Sequence, residues 1–224
     1  MNPSNQTAVD ESAPSSASRW FDPPVLWVFV SLVLGVVLGF WGGQQSMRPP
    51  TEDSAEVGFA RDMANHHAQA VTMAQLVYDR TDDENMRLLA LDIMLTQQAQ
   101  IGQMQGWLTT WERPLSTTTP AMTWMGMPTS ALMPGMATAE EINRLRGLKG
   151  TEADGLFLQL MIPHHRGGVE MANAVLEYTQ RAQVVAMAQA IVNSQTTEIA
   201  YMQQLLHDKG FPPVPEETSP HHAP

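Results

Sequence analysis

Histidine and methionine recur in this chain in one arrangement that could hold a soft metal ion. The segment Phe59-x3-Met63-x2-His66-His67-x5-Met73 is matched 98 residues downstream by Phe157-x3-Met161-x2-His164-His165-x5-Met171. The offset persists beyond the motif, pairing Gln97 with Gln195, Ile101 with Ile199 and Met104 with Met202. A gapless repeat of this kind means two copies of one supersecondary unit. Imidazole combined with thioether selects copper, above all Cu(I), because sulfur is a soft donor and hard cations prefer oxygen. On a helix, Met63 lies one turn before His66 and His67, so these side chains can converge on one ion. The expected ligands are Met63, His66, His67, Met73, Met161, His164, His165 and Met171, with a copper ion as the bound species. Met104, Met202 and Glu198 stand nearby as accessory candidates.

A second group of thioethers lies between the repeats. Met122, Met125, Met127, Met133 and Met136 fall in a Pro/Gly-rich stretch with little helical pattern. Methionine in a core needs no explanation, since it fills gaps well, but methionine in a loop does. These five could gather Cu(I), with Trp124 as a shield. The bland alternative is a loop laid over apolar surface at the open end of a bundle. His221 and His222, in the Pro-rich tail, are at best an accessory site.

The elements that position these residues read as helices. Thr51 with Glu52 and Asp53 starts the first, and the capping box Thr81-x-x-Glu84 starts its return. Thr138-x-x-Glu141 opens a short helix that stops near Gly147. Thr151-x-x-Asp154 starts the next long one, and Lys209-Gly210 closes the last. Four long helices are expected near 52–79, 82–112, 152–178 and 180–208, with no sustained β alternation. Short turns make each repeat (52–112 and 151–209) an antiparallel αα-hairpin, with a Met-rich linker at 113–137. The fold class is therefore all-α, an antiparallel four-helix bundle over 52–210.

Phe59, Met63, His66, Ala70, Met73 and Val77 step by four and three residues along one seam, and the second repeat does the same. His66 and His164 therefore belong to the buried seam, with His67 and His165 flanking it. Reflecting each hairpin about its turn puts His66, Gln97, His164 and Gln195 in one layer. The same construction puts Met63, Gln100, Met161 and Glu198 in the adjacent one. Polar residues in a seam cost free energy unless paired. Their clustering in two layers marks a site, with His66 facing His164 across a pseudo-twofold axis.

Pro163 stands inside the second copy, where it removes a backbone N–H and should kink the helix. Gly167-Gly168 follows, and small residues on a distorted turn allow a partner to approach closely.

Outside the repeat, residues 1–24 are rich in Ser, Pro and Asn and are expected to be disordered, as is the tail 211–224. Residues 25–43 run 19 residues without a charge. That is long enough for a transmembrane helix, with Trp27 and Trp41 at the two interfaces. An uncleaved single-pass anchor in the cell membrane, with the domain outside the cytoplasm, is expected over a cleaved leader. Leaders normally have a basic start and a shorter apolar run.

Other chemistries are excluded by composition. No cysteine is present, which removes disulfides and thiolate sites. A formal charge of −11, with 12 scattered basic residues, argues against nucleic acid. No Glu-x-x-His motif supports a di-iron carboxylate centre. No nucleophile motif or phosphate loop is found, so no catalytic role is expected. Asp62 could orient His66 from one turn away, but its repeat mate is Leu160.

The string Phe157-Leu-Gln-Leu-Met161-Ile-Pro-His164-His165-Arg-Gly-Gly-Val-Glu-Met171-Ala, preceded by Met133-Pro-Gly-Met136, resembles the bacterial domain of unknown function family 305. The resemblance covers about 54–210. It implies a ferritin-like four-helix bundle, exported or membrane-anchored, with copper binding in some members and no established catalytic activity. It places the family motif on Met63, His66, His67 and Met73 and on Met161, His164, His165 and Met171. One departure is Arg166, where many members carry an acidic residue.

The resulting expectation is copper binding or sequestration. The alternatives are a structural or interaction bundle whose His/Gln layer fixes packing without metal, and, third, a metal-dependent oxidoreductase.

Overall fold

The computed structural model describes residues 23–215, with side chains at 26–39 and from 48 onward. The segments 1–22 and 216–224, which include His221 and His222, lie outside the described residues. Regular structure here is helical: α1 Pro23–Met47, α2 Ala55–Tyr78, α3 Glu84–Thr110, α4 Ala139–Gly147, α5 Gly150–Tyr178 and α6 Ala182–Asp208. A single 3-10 turn, Thr123–Met125, interrupts the linker. Extended pairing among the described residues is confined to an isolated bridge between Ala121 and Thr129.

The chain divides at Arg48/Pro49 into two units. In the first, α1 coincides with the expected membrane span, and its described side chains, such as Leu32 and Val36, are exposed. Among the described residues, however, no helix is long and apolar enough to cross a membrane. A span needs about 20 apolar residues. The side chains at 26–39 fall short of that, and Val25 and Phe40 to Gly43 lie outside them.

In the second unit, α2 packs on α3, α5 on α6, and the two hairpins meet through α2 and α5. Their ends show that α2 and α5 run in opposite directions. Thr179, at the end of α5, donates its hydroxyl to Glu56 at the start of α2, at 2.7 Å. Gly150 N, at the start of α5, donates to the Arg80 carbonyl just past α2, at 2.8 Å.

Local chemistry sets the boundaries, with three shifts from expectation. Ser54, not Thr51, caps α2, accepting from Val57 N. Asp83, not Thr81, caps α3, because its carboxylate reaches Asn85 N at 2.8 Å. Thr81 instead holds the turn by accepting from Asp83 N, and Thr179 does the same for Arg181 N, both at 3.1 Å. The turn chemistry thus repeats with the sequence. At α5 no side chain caps the start. Asp154 is buried and turned to Lys209 Nζ at 3.0 Å. For α4 the capping box of Thr138 and Glu141 forms as expected.

Lys209 also meets Asp83 at 2.6 Å, so one ammonium joins the end of α6 to the starts of α3 and α5. Lys209 is mostly buried and Asp154 almost fully so. Removing one partner of a buried pair strands the other charge. Lys209→Ala should therefore cost about 3 kcal/mol in urea denaturation. The same change in an Asp154→Asn background should cost clearly less, and equal costs would show that the pair is not coupled.

Candidate metal centre

All four imidazoles of the repeated motif are fully buried: His66, His67, His164 and His165 each have 0% exposure. His67 and His165 therefore lie inside the core, not beside it as their flanking positions suggested. The rings of His66 and His164 lie in contact with centroids 3.8 Å apart and planes tilted by 34°, which brings the repeats face to face. Within each repeat the adjacent rings stand 6.5 and 6.4 Å apart. Gln97 and Gln195 are buried with them, each at 2% exposure.

Each imidazole is held through Nε2. His66 Nε2 lies 3.0 Å from the Pro134 carbonyl, and His164 Nε2 lies 3.1 Å from the carbonyl of His66. His165 Nε2 lies 2.6 Å from the Glu198 carboxylate, and His67 Nε2 lies 2.7 Å from Gln100 Oε1. A carbonyl or an ionised carboxylate can only accept, so Nε2 carries the proton in His66, His164 and His165. In His66 and His164, which burial keeps neutral, Nδ1 then carries a free lone pair. Nδ1 of all four histidines, and both amide atoms of Gln97 and Gln195, are buried without a hydrogen-bond partner in the protein. A buried polar atom left unmatched costs roughly 1–3 kcal/mol. Eight such atoms in one layer amount to a sizeable fraction of a domain's stability, typically about 5–15 kcal/mol.

Burial also keeps His66, His67 and His164 neutral. It is the main reason His66 is lowered to about 4 and His67 to about 3, with the neighbouring His66 adding to the effect on His67. His164 is driven well below the ordinary histidine value, again by burial first and then by His66. A neutral imidazole with an unengaged nitrogen is the form that ligates a metal.

The methionines are sorted by the opposed directions of α2 and α5. Met63, Met104 and Met171 pack in the apolar cluster on one side of the His layer. Met73, Met161 and Met202 pack in the cluster on the other side. The expected layer of Met63 with Met161 is therefore not formed. Reflection about a turn fixes levels within one hairpin, but the second hairpin enters inverted, so equal sequence positions diverge from the centre. Gln100 and Glu198 likewise bond to His67 and His165 instead of sharing a layer.

The linker belongs to one side. Met122 and Met133 are buried in the cluster with Met63, and Met125, Met127 and Met136 pack partly buried against it. Asp62 does not orient His66, as the lack of an acidic repeat mate at Leu160 had argued; it anchors the linker instead. Its Oδ2 accepts from Met122 N at 2.8 Å and from Trp124 Nε1 at 3.0 Å, which latches the linker to α2. Burial raises its pKa, partly offset by those two hydrogen bonds. Further along, Gln69 exchanges two hydrogen bonds with Ala137. Between these latches Pro134-Gly135 lies directly on α5. A Cβ at Gly135, which has φ +72°, would overlap the Pro163 carbonyl, and one at Gly167 would overlap that of Pro134. The close approach expected at Pro163 and Gly167 is thus made by the linker.

Arg166 directs its guanidinium to the carbonyls of Val214 and Pro215, where it tethers the chain after α6. Among the described residues, no three His, Asp or Glu side chains converge tightly enough to hold an ion alone. A metal at this layer would need sulfur or amide ligands beside imidazole, and methionine-containing clusters flank the layer on both sides. Buried lone pairs between thioethers suit a soft ion in this way.

The residues 56–206 match the family model described as a domain of unknown function, DUF305. The chain belongs to the DUF305 family. A crystal structure of a DUF305 protein from Streptomyces coelicolor, named as a candidate secreted protein, is 48% identical. It covers 72% of this chain and 97% of its own, with a TM-score of 0.69. A DUF305 fragment from Deinococcus radiodurans is 34% identical over 71% of this chain and 99% of its own, with a TM-score of 0.59. CopM in its Cu(II)-bound form is 28% identical over 68% of this chain and 96% of its own, with a TM-score of 0.57. CopM in Cu(I)-bound and Ag-bound forms is also similar, at 25% identity. No protein of curated function matches.

Two outcomes follow from the layer. Unfolded histidine takes a proton near pH 6.5, whereas folded His66 and His67 resist until about 4 and about 3. The unfolded state therefore binds more protons below 6.5, and stability falls with pH. The urea midpoint of the metal-free protein should drop between pH 6.5 and 5, where ordinary carboxylates are still ionised. His67→Gln should flatten that slope, and a flat wild-type profile would contradict it. Gly135→Ala should dislodge the linker, exposing it to protease and shifting Trp124 fluorescence to the red. A native digestion pattern would show that the close contact is not required.

Proposed function

We propose that this DUF305 protein binds and sequesters copper, with the ion held at the His layer by Nδ1 lone pairs and by thioethers of one or both Met clusters. The observation that carries this reading is the set of four buried imidazoles whose Nε2 atoms are spent on protein partners and whose Nδ1 atoms are not. Such outer partners fix the tautomer and orient the ring in metal-binding histidines. His66, His67, His164 and His165 would supply nitrogen. Met63, Met104 and Met171 on one side, and Met73, Met161 and Met202 on the other, would supply sulfur. Copper supplies no reaction here: the protein residues hold the ion, keep it from water and do not transform a substrate. Likeness to CopM, which has Cu(II)-, Cu(I)- and Ag-bound forms, supports the same choice of metal.

We further propose that the domain works outside the cytoplasm, tethered by the apolar segment 25–43. Its 19 uncharged residues and likeness to the Streptomyces protein support that placement.

A second reading has one observation in its favour. The Nε2 bonds from His66 to Pro134 and from His164 to His66 join α2, α5 and the linker, as a purely structural polar layer would.

Anaerobic Cu(I) titration of the full chain against a competing chelator separates the two. The double variant His66→Ala/His164→Ala should bind at least about 100-fold more weakly, since even outer partners of metal ligands are worth roughly 10–100-fold. Circular dichroism would confirm that the variant is folded. Unchanged affinity in a destabilised variant would favour the structural reading. Binding lost only when the five linker methionines become leucine would move the site to the linker.

A further inference from the structure

An ion cannot reach four fully buried imidazoles without a path, and the two faces of the bundle differ in what they offer. Across α2 and α5 the linker is latched by Asp62 and Gln69, and Pro134-Gly135 lies flush on the Pro163 turn. Between α3 and α6 there is instead an open groove of about 540 Å³. Its walls are apolar and solvent-facing, with Leu88 at 55%, Leu95 at 63% and Tyr201 at 43% exposure. Asp92 and Glu198 also line it. Glu198 connects the groove to the layer: its side chain is 16% exposed, and its carboxylate is bonded to His165 Nε2 at 2.6 Å. Behind that contact lies the unpartnered, buried Nδ1 of His165.

We propose that the α3/α6 groove is the port through which a monovalent soft metal cation reaches the His layer, with Glu198 as its gate. The inference rests on the metal-binding reading above and adds a route and a residue to it. Carboxylates lining a cleft with low-dielectric walls focus the field and raise the local cation concentration, and so the rate of capture. Glu198 touches both solvent and His165, so a cation drawn to it stands one side chain from the ligands. The repeat gives an internal contrast. Gln100, at the matching position of the first hairpin, makes the same bond to His67 at 2.7 Å but carries no charge. The duplicated bundle therefore has one charged approach to a pair of otherwise similar imidazoles.

The test is stopped-flow mixing of the full chain with Ag⁺ alone, followed by tryptophan fluorescence, alongside equilibrium titration. Glu198→Gln should lower the association rate constant by about tenfold, the lower end of electrostatic focusing. Leu95→Trp, at the groove wall, should slow association and release by the same factor and leave Kd unchanged. Wild-type association rates in both variants would overturn the port. Rates that respond instead to Gln69→Ala, which loosens the linker, would place access on the opposite face and overturn it as well. Failure of the wild type to bind Ag⁺ at equilibrium would strike the metal-binding reading itself, and the port with it.

Discussion

A contacting pair of histidines at the centre of an otherwise apolar helical core is the constraint around which this protein is organised. His66 and His164 meet at 3.8 Å where α2 and α5 cross, and His164 bonds to the backbone of His66. Placing polar rings there costs desolvation, which each ring offsets by giving its Nε2 to an acceptor. Those acceptors come from three sources: the partner helix, the linker, and the returning helices through Gln100 and Glu198. The layer thereby fixes how the hairpins face each other and where the linker lies. It also leaves Nδ1 bare in every ring, which is a poor arrangement for a purely structural core and a suitable one for a ligand.

The linker shows how one element can serve packing and chemistry together. Its methionines fill the cluster around Met63, as a loop covering apolar surface would. Its Pro134 carbonyl also fixes the tautomer of His66. The Asp62 latch, the Gln69 latch and the Gly135 contact act at separate points along it, so its position is over-determined. Because the linker covers only one face, the pseudo-twofold symmetry of the core is broken: sulfur is richer on the Met63 side, and negative charge approaches from the Glu198 side.

Several elements were legible in the residues for local reasons. The four long helices, the capping box at Thr138 and the His66/His164 juxtaposition follow from periodicity and from the repeat, which are near-neighbour properties. Errors arose where a residue's partner is distant in sequence. Asp62, with Leu160 as its repeat mate, has no assignable role on its own helix, and Asp154 looks like a helix cap. In the fold they bind the linker and Lys209, because buried carboxylates take the best donor available, whichever segment supplies it. His67 and His165 look peripheral on a single helix, yet they are enclosed once α3 and α6 pack over them.

Sequence alone determined which donor side chains each repeat carries, the helical period and the twofold duplication, since these are carried by residue identity and spacing within each repeat. Tertiary structure decided which groups share a side of the layer. The inverted packing of the second hairpin separates Met63 from Met161 and joins it to Met171, and no pattern along one chain segment encodes the relative direction of two hairpins. It also decided the protonation pattern. A ring's tautomer depends on which acceptor reaches it, and those acceptors lie up to 98 residues away.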